Sequence, residues 1–135
     1  MAAIAKKYLD RTQLVGTYDF AVHGGAISTI DLGIGLPKGC VAIDGFMHVI
    51  TAPAGSGASI AVQLEGANDV ISAAAISGAP WSTTGLKDIA PVTSAATMIL
   101  TTAQRNLKVV ITGAALTAGK FAIQLRYMQA PNQVS

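Results

Sequence analysis

Cysteine, charge and aromatic side chains are all scarce in this chain. A single cysteine, Cys40, among 135 residues rules out an intrachain disulfide and an all-cysteine metal site; opening a strand, it reads as a small buried hydrophobe. Charged residues make up 12%, about half the usual share of a globular domain. The carboxylates Asp10, Asp19, Asp31, Asp44, Glu65, Asp69 and Asp88 stand singly, whereas glycosidase and two-metal chemistry need them in pairs. Asp44 before Gly45, and Asn68-Asp69 after Gly66, read as turn-formers whose side chains bond nearby backbone amides. His23 and His48 make neither a His-x-His nor a His-Glu-x-x-His spacing, which argues against a zinc site within one chain. Gly55-Ser56-Gly57 lacks the spacing of a nucleophile elbow, and Gly119-Lys120 lacks the upstream glycine and following Ser or Thr of a phosphate loop; both read as turns. No run approaches the roughly eighteen uninterrupted apolar residues of a membrane-spanning helix. The expectation is no enzyme, no cofactor, no metal and no membrane.

What the chain does have is a beat of two. Lys120-Phe121-Ala122-Ile123-Gln124-Leu125-Arg126-Tyr127 alternates, as do Ser59-Ile60-Ala61-Val62-Gln63-Leu64-Glu65 and Leu107-Lys108-Val109-Val110-Ile111-Thr112, the pattern of half-buried strands. Strands are expected at Thr17–His23, Ala26–Ile34, Val41–Thr51, Ala58–Glu65, Ile89–Val92, Thr97–Thr101, Leu107–Thr112 and Lys120–Met128, with 70–77 open between a helical turn and strand plus loop. Between them stand breakers such as Gly24-Gly25, Leu36-Pro37-Lys38-Gly39, Pro53-Ala54-Gly55-Ser56-Gly57, Arg105-Asn106 and Thr117-Ala118-Gly119. Short strands at this spacing, without interleaved amphipathic helices, predict an all-β chain: a single-domain antiparallel β-sandwich or jelly roll over 17–128, a short N-terminal arm at 1–16 and a C-terminal tail at 129–135.

Charge is unevenly placed. Lys6, Lys7 and Arg11 against Asp10 carry the whole net charge of +2 within the first sixteen residues. Long windows such as 45–64, 70–86 and 109–119 carry no formal charge, and the mean hydropathy is +0.50. A soluble monomer spreads charge over its exposed strands and loops, so these windows predict a surface covered in an assembly. The basic cluster, with Tyr8 its lone aromatic neighbour, is too small an electrostatic footprint for nucleic-acid binding and reads as a docking arm or a solvated terminus. The charges of Met1–Lys7 follow a very short apolar stretch, the reverse of a secretory signal, so the chain is expected to be made in the cytoplasm and kept there until it assembles.

The succession Ile30-Asp31-Leu32-Gly33, Leu36-Pro37-Lys38-Gly39, Leu64-Glu65-Gly66-Ala67-Asn68-Asp69, Ala79-Pro80-Trp81-Ser82-Thr83-Thr84-Gly85 and Leu116-Thr117-Ala118-Gly119-Lys120-Phe121, with the closing Leu125-Arg126-Tyr127, resembles small structural proteins of tailed-bacteriophage virions. Within that group it is similar to the capsid decoration, or cement, proteins. The resemblance implies a β-rich homotrimer bound to the capsid exterior, with the major capsid protein as partner, reinforcing contacts between capsid subunits. The expected contact residues are Ile4, Lys6, Lys7, Tyr8, Leu9, Arg11 and Leu14 of the arm, with Pro53 and Trp81 in two loops. Two other readings stand beside it: a tail or head-fibre base component, and a carbohydrate-binding β-sandwich, which would need exposed aromatics from among Trp81, Tyr8, Tyr18 and Tyr127.

Overall fold

A computed structural model describes residues 13–89, 91 and 98–129. Nine strands and one helical turn follow along them: β1 (Gln13–Asp19), α1 (Phe20–His23), β2 (Ser28–Leu36), β3 (Cys40–Ala54), β4 (Ser59–Gln63), β5 (Ile71–Ala75), β6 (Gly85–Ile89), β7 (Ile99–Leu100), β8 (Arg105–Thr112) and β9 (Ala118–Gln129). They form two antiparallel sheets. Sheet A runs β1-β9-β3-β6, with the short β7 beside β6 on the free edge of β3; sheet B runs β2-β8-β4-β5.

The order follows from folding the chain in half about the turn between β4 and β5. That pairs β4 with β5, β3 with β6, β2 with β8 and β1 with β9. Rolling the resulting ladder lays alternate rungs in different sheets, and two new pairings, β3 with β9 and β4 with β8, close the roll. This is the jelly-roll form of the sandwich.

Alternation decides which side chains enter the core. In β9, Phe121, Ile123 and Leu125 are fully buried while Lys120, Ala122 and Gln124 are only half-covered and Arg126 is exposed. Sheet B contributes Ile60, Val62, Leu107, Val109 and Ile111 from the opposite layer. One end of the core is aromatic. Tyr18 stacks on Phe121 at 5.1 Å between ring centroids, Trp81 lies tilted on Phe121 at 4.8 Å, and the Tyr18 hydroxyl donates to the Gly24 carbonyl at 2.7 Å. Cys40 is buried at the start of β3, and burial pushes its thiol pKa up.

Several expected elements move. The strand expected over 17–23 stops at Asp19, whose carboxylate accepts from the Ala21 amide and caps α1. At its other end the strand begins at Gln13, within the expected arm, because Leu14 and Tyr18 point into the core with Gly16 between them. A Cβ at Gly16 would sit 3.0 Å from the Leu107 side chain, so this glycine reflects close packing between the sheets and not a break. Residues 71–75 form strand β5, and the sixth strand is Gly85–Ile89 where Ile89–Val92 was expected. Arg105-Asn106, read as a turn, opens β8. Asp44, also read as a turn-former, lies inside β3 beside a bulge. Its neighbour Gly45 allows a tight approach of β9, since a Cβ there would come 2.1 Å from the Gln124 carbonyl oxygen.

The register of β9 is open to direct test. Leu125→Asp should prevent folding, because an unpaired buried carboxylate costs several kcal/mol, about the whole margin of a small domain. Gln124→Glu, on the other face, should leave the melting temperature within a few degrees of the parent, its exposed bond to Gln13 being worth well under about 1 kcal/mol. Equal losses by circular dichroism would show the inward face to be misassigned.

Candidate interaction surfaces

Of the residues singled out in the sequence, Ile4, Lys6, Lys7, Tyr8, Leu9 and Arg11 lie outside the described residues. The other three are placed inside the molecule. Leu14 is buried opposite Leu125, Pro53 is buried near the end of β3 against Gly119, and Trp81 is fully buried on Phe121. Their side chains build the core and offer nothing to a partner. Trp81 leaves its indole N–H without a hydrogen-bond partner among the described residues. Pro and Trp beside turn signals look like loop-tip anchors in a sequence; only the third dimension shows the loop folded inward.

The described carboxylates, Asp88 excepted, are bound by other groups of the chain. Asp69 accepts from the amides of Leu64, Glu65 and Gly66 at 2.8–2.9 Å, holding the turn after β4 as expected. Asp31 accepts from the Gly33 amide and then from Asn106, which together hold its pKa below the ordinary range. Glu65 takes a two-pronged bond from Arg105 and further bonds from Thr102, so its carboxyl is likewise held down, Arg105 first. Asp44 is lowered mainly by Arg126, whose Nε donates to it at 2.6 Å. Asp88 has no such partner among the described residues. The Nδ1 of His23 accepts from the Asp19 amide and its ring stacks on Tyr18, whereas His48 lies on β3 opposite Ala122 and Leu86. Among the described residues no three His, Cys, Asp or Glu side chains converge as a metal site, and no helix is long and apolar enough to cross a membrane.

The surface that sequence reasoning missed is the outer face of sheet A. Val15, Phe46, Ile50 and Leu86 project from it, with Leu86 71% exposed. A shallow groove of about 370 Å³ crosses the same face, lined by Phe46, Gln124, Asp88, Asp44 and Arg126. In the sequence the run Phe46-Met47-His48-Val49-Ile50 is apolar on both faces apart from His48. That signal marks a strand covered on both sides, but it does not say by what. The outer face of sheet B is different in kind, carrying small and polar side chains such as Thr29, Asp31, Lys108, Thr112 and Gln63.

No protein-family model matches the chain, and no curated protein matches it in sequence. Two solved structures share its fold. One is a chain in the capsid asymmetric unit of cyanophage Pam1, 14% identical, with a TM-score of 0.57 over 85% of this chain and 81% of that one. The other is a chain in the acidic stable capsid structure of Helicobacter pylori bacteriophage KHP30, 13% identical, with a TM-score of 0.55 over 86% of each. Since the matches span similar shares of both partners, those chains are close to this one in length. At such identities the likeness is one of fold.

Two measurements probe these assignments. Trp81→Ala should cost about 3–5 kcal/mol of stability by leaving a large cavity, and its effect on any partner should vanish under conditions that keep the variant folded. Lowered carboxyl pKa values stabilise the fold above the unfolded-state range near 4 and lose that contribution as pH falls through the depressed values. Melting temperature should therefore be flat above about pH 5 and fall below about pH 4. Glu65→Gln should flatten part of that fall, a small effect because the pair is only partly buried.

Proposed function

We propose that this protein is a structural component of a phage virion, of the decoration or cement type. It works by binding energy spread over several subunits of the shell, with no reaction and no cofactor. The observation that carries this reading is the fold, a jelly roll shared with chains of similar length in two phage capsid structures. The sequence resemblance to decoration proteins points the same way, and so do the long uncharged windows. In this reading the partner is the major capsid protein, the location is the capsid exterior, and the protein acts as a homo-oligomer, a trimer as the resemblance implies. Multivalent attachment would strengthen the shell without a new covalent bond, because each further contact forms at high effective concentration. Burial of Trp81 and Tyr18 removes two of the aromatics that a carbohydrate-binding reading would need at the surface.

The arm is the proposed docking element. Lys6, Lys7 and Arg11, with Ile4, Tyr8 and Leu9 beside them, suit an acidic shell surface with apolar hollows. Leu14 drops out of this set because it is needed in the core.

The test is addition of the purified protein to undecorated capsids of the virus that encodes it. Saturable binding to the outside, with a rise in the temperature at which the shells rupture, is expected. Deleting residues 2–12, which spares β1, should keep the β-fold by circular dichroism and weaken attachment at least ten-fold, more so as salt rises. Absence of the full-length protein from particles would end the decoration reading, whereas undiminished binding of the truncated form would end the role of the arm alone.

A further inference from the structure

Of the ten large apolar side chains exposed among the described residues, six, Val15, Phe46, Ile50, Leu86, Leu100 and Met128, project from the outer face of sheet A, while Val22, Ile27, Ile34 and Met98 do not form part of it. Much of the polar side-chain chemistry on that face is already satisfied within the chain. Arg126 is paired with Asp44, Gln124 donates to Gln13, and Lys120 lies 3.9 Å from Asp19. Two ionisable groups remain without a partner among the described residues, His48 and Asp88. Their placement is specific. In the antiparallel register of β3 and β6, Phe46 lies opposite Asp88 and His48 opposite Leu86. The four side chains make a quadrilateral with the apolar pair on one diagonal and the ionisable pair on the other, each diagonal about 7–8 Å between Cα atoms.

We infer that this face pairs with the same face of a second copy, about a two-fold axis lying along the Phe46–Leu86 diagonal. That axis sets Phe46 on Phe46 and Leu86 on Leu86. It exchanges the ends of the other diagonal, so His48 of each copy meets Asp88 of the partner subunit, twice over. This is the self-complementarity a two-fold contact requires. An imidazole N–H donates to a carboxylate whether or not the ring carries a charge, and the aromatic and aliphatic pairs supply the water-excluding centre of an interface. The contact is small. An axis along the diagonal sets the two sheets across each other, so two faces each about four strands wide, at about 4.8 Å per strand, overlap over roughly 400 Å² in projection, about half the ~800 Å² per partner of a standard interface and in the range of a weak, concentration-dependent association. The outer face of sheet B, small and polar, offers no such match.

The pairing does not depend on the capsid reading and needs no shell to form. It is compatible with a trimer, since each protomer of a three-fold assembly would carry the face outward and join a neighbouring assembly through it.

The test is cross-linking of the full chain in solution at micromolar concentration, without capsids. Phe46→Cys places a thiol on the two-fold axis and should form a disulfide-linked dimer under mild oxidation at least ten-fold faster than Val110→Cys on the outer face of sheet B. Native Cys40 is 5% exposed and should stay unreacted in both. Leu86→Cys, also on the axis and highly exposed, repeats the test at a second site that folding does not need. Sedimentation should give an even number of copies. His48→Asp should weaken the association at least ten-fold, and the exchanged pair H48D/D88H should restore it. Equal cross-linking rates on the two sheets, a monomer or an isolated trimer in sedimentation, or no restoration by the exchanged pair would each overturn the two-fold contact. Any of these results leaves the decoration reading to be decided by particle binding.

Discussion

The hydrogen-bonded seam between β3 and β9 holds the molecule together. These are the two longest strands, they lie side by side from Cys40 opposite Gln129 to Ala54 opposite Ala118, and they come from opposite halves of the chain. The capped turn after β1 and the hairpin of β4 and β5 can be made locally. This seam cannot, and with the β1–β9 and β2–β8 ladders it joins segments separated by most of the domain. The inward side chains of β9 also supply the floor on which Tyr18 and Trp81 rest. One strand thus provides both backbone closure and the aromatic end of the core. Bulges near Asp44 and Thr51 shift the register and let β3 bend around its partner.

With the interior built this way, the chain is left with two outer faces of different chemistry. Sheet B turns small polar groups outward and needs nothing more than water. Sheet A shows aliphatic and aromatic side chains among charges that already neutralise one another in pairs. The few ion pairs serve geometry more than stability: Glu65 and Arg105 tie the turn after β4 to the start of β8, and Asp44 with Arg126 ties the closing seam. Such exposed pairs contribute little energy. They do use up charge that would otherwise keep neighbouring molecules apart. The likeness to chains of two phage capsid structures is one of fold.

The strand content, the antiparallel sandwich and the inward face of β9 were legible in the sequence, because Phe121, Ile123 and Leu125 alternate with polar or small residues. Less legible were features where one residue type can serve two purposes. Gly16 looked like the end of an arm and is a point of close sheet packing. Asp44 looked like a turn and is half of an ion pair within a strand. Trp81 and Pro53 looked like loop anchors and lie buried. In each case a distant segment that no short window contains decided the outcome. The outer face of sheet A was hidden for a related reason. Where Phe46 through Ile50 is apolar on both sides, alternation cannot tell the inner face from the outer.

The antiparallel pairing of Gln13 with Arg126 also has a mechanical side. The first described residue of β1 and the last turns of β9 leave the sandwich at the same end, from neighbouring strands. A load drawn between these two ends would open the β1–β9 ladder one rung at a time, like a zipper, and would never stress the rungs together. A load entering through the broad face of sheet A would instead be shared across the β3–β9 seam and both of its flanking strands. A protein of this build resists being pressed or sheared over its faces far better than being tugged by its ends.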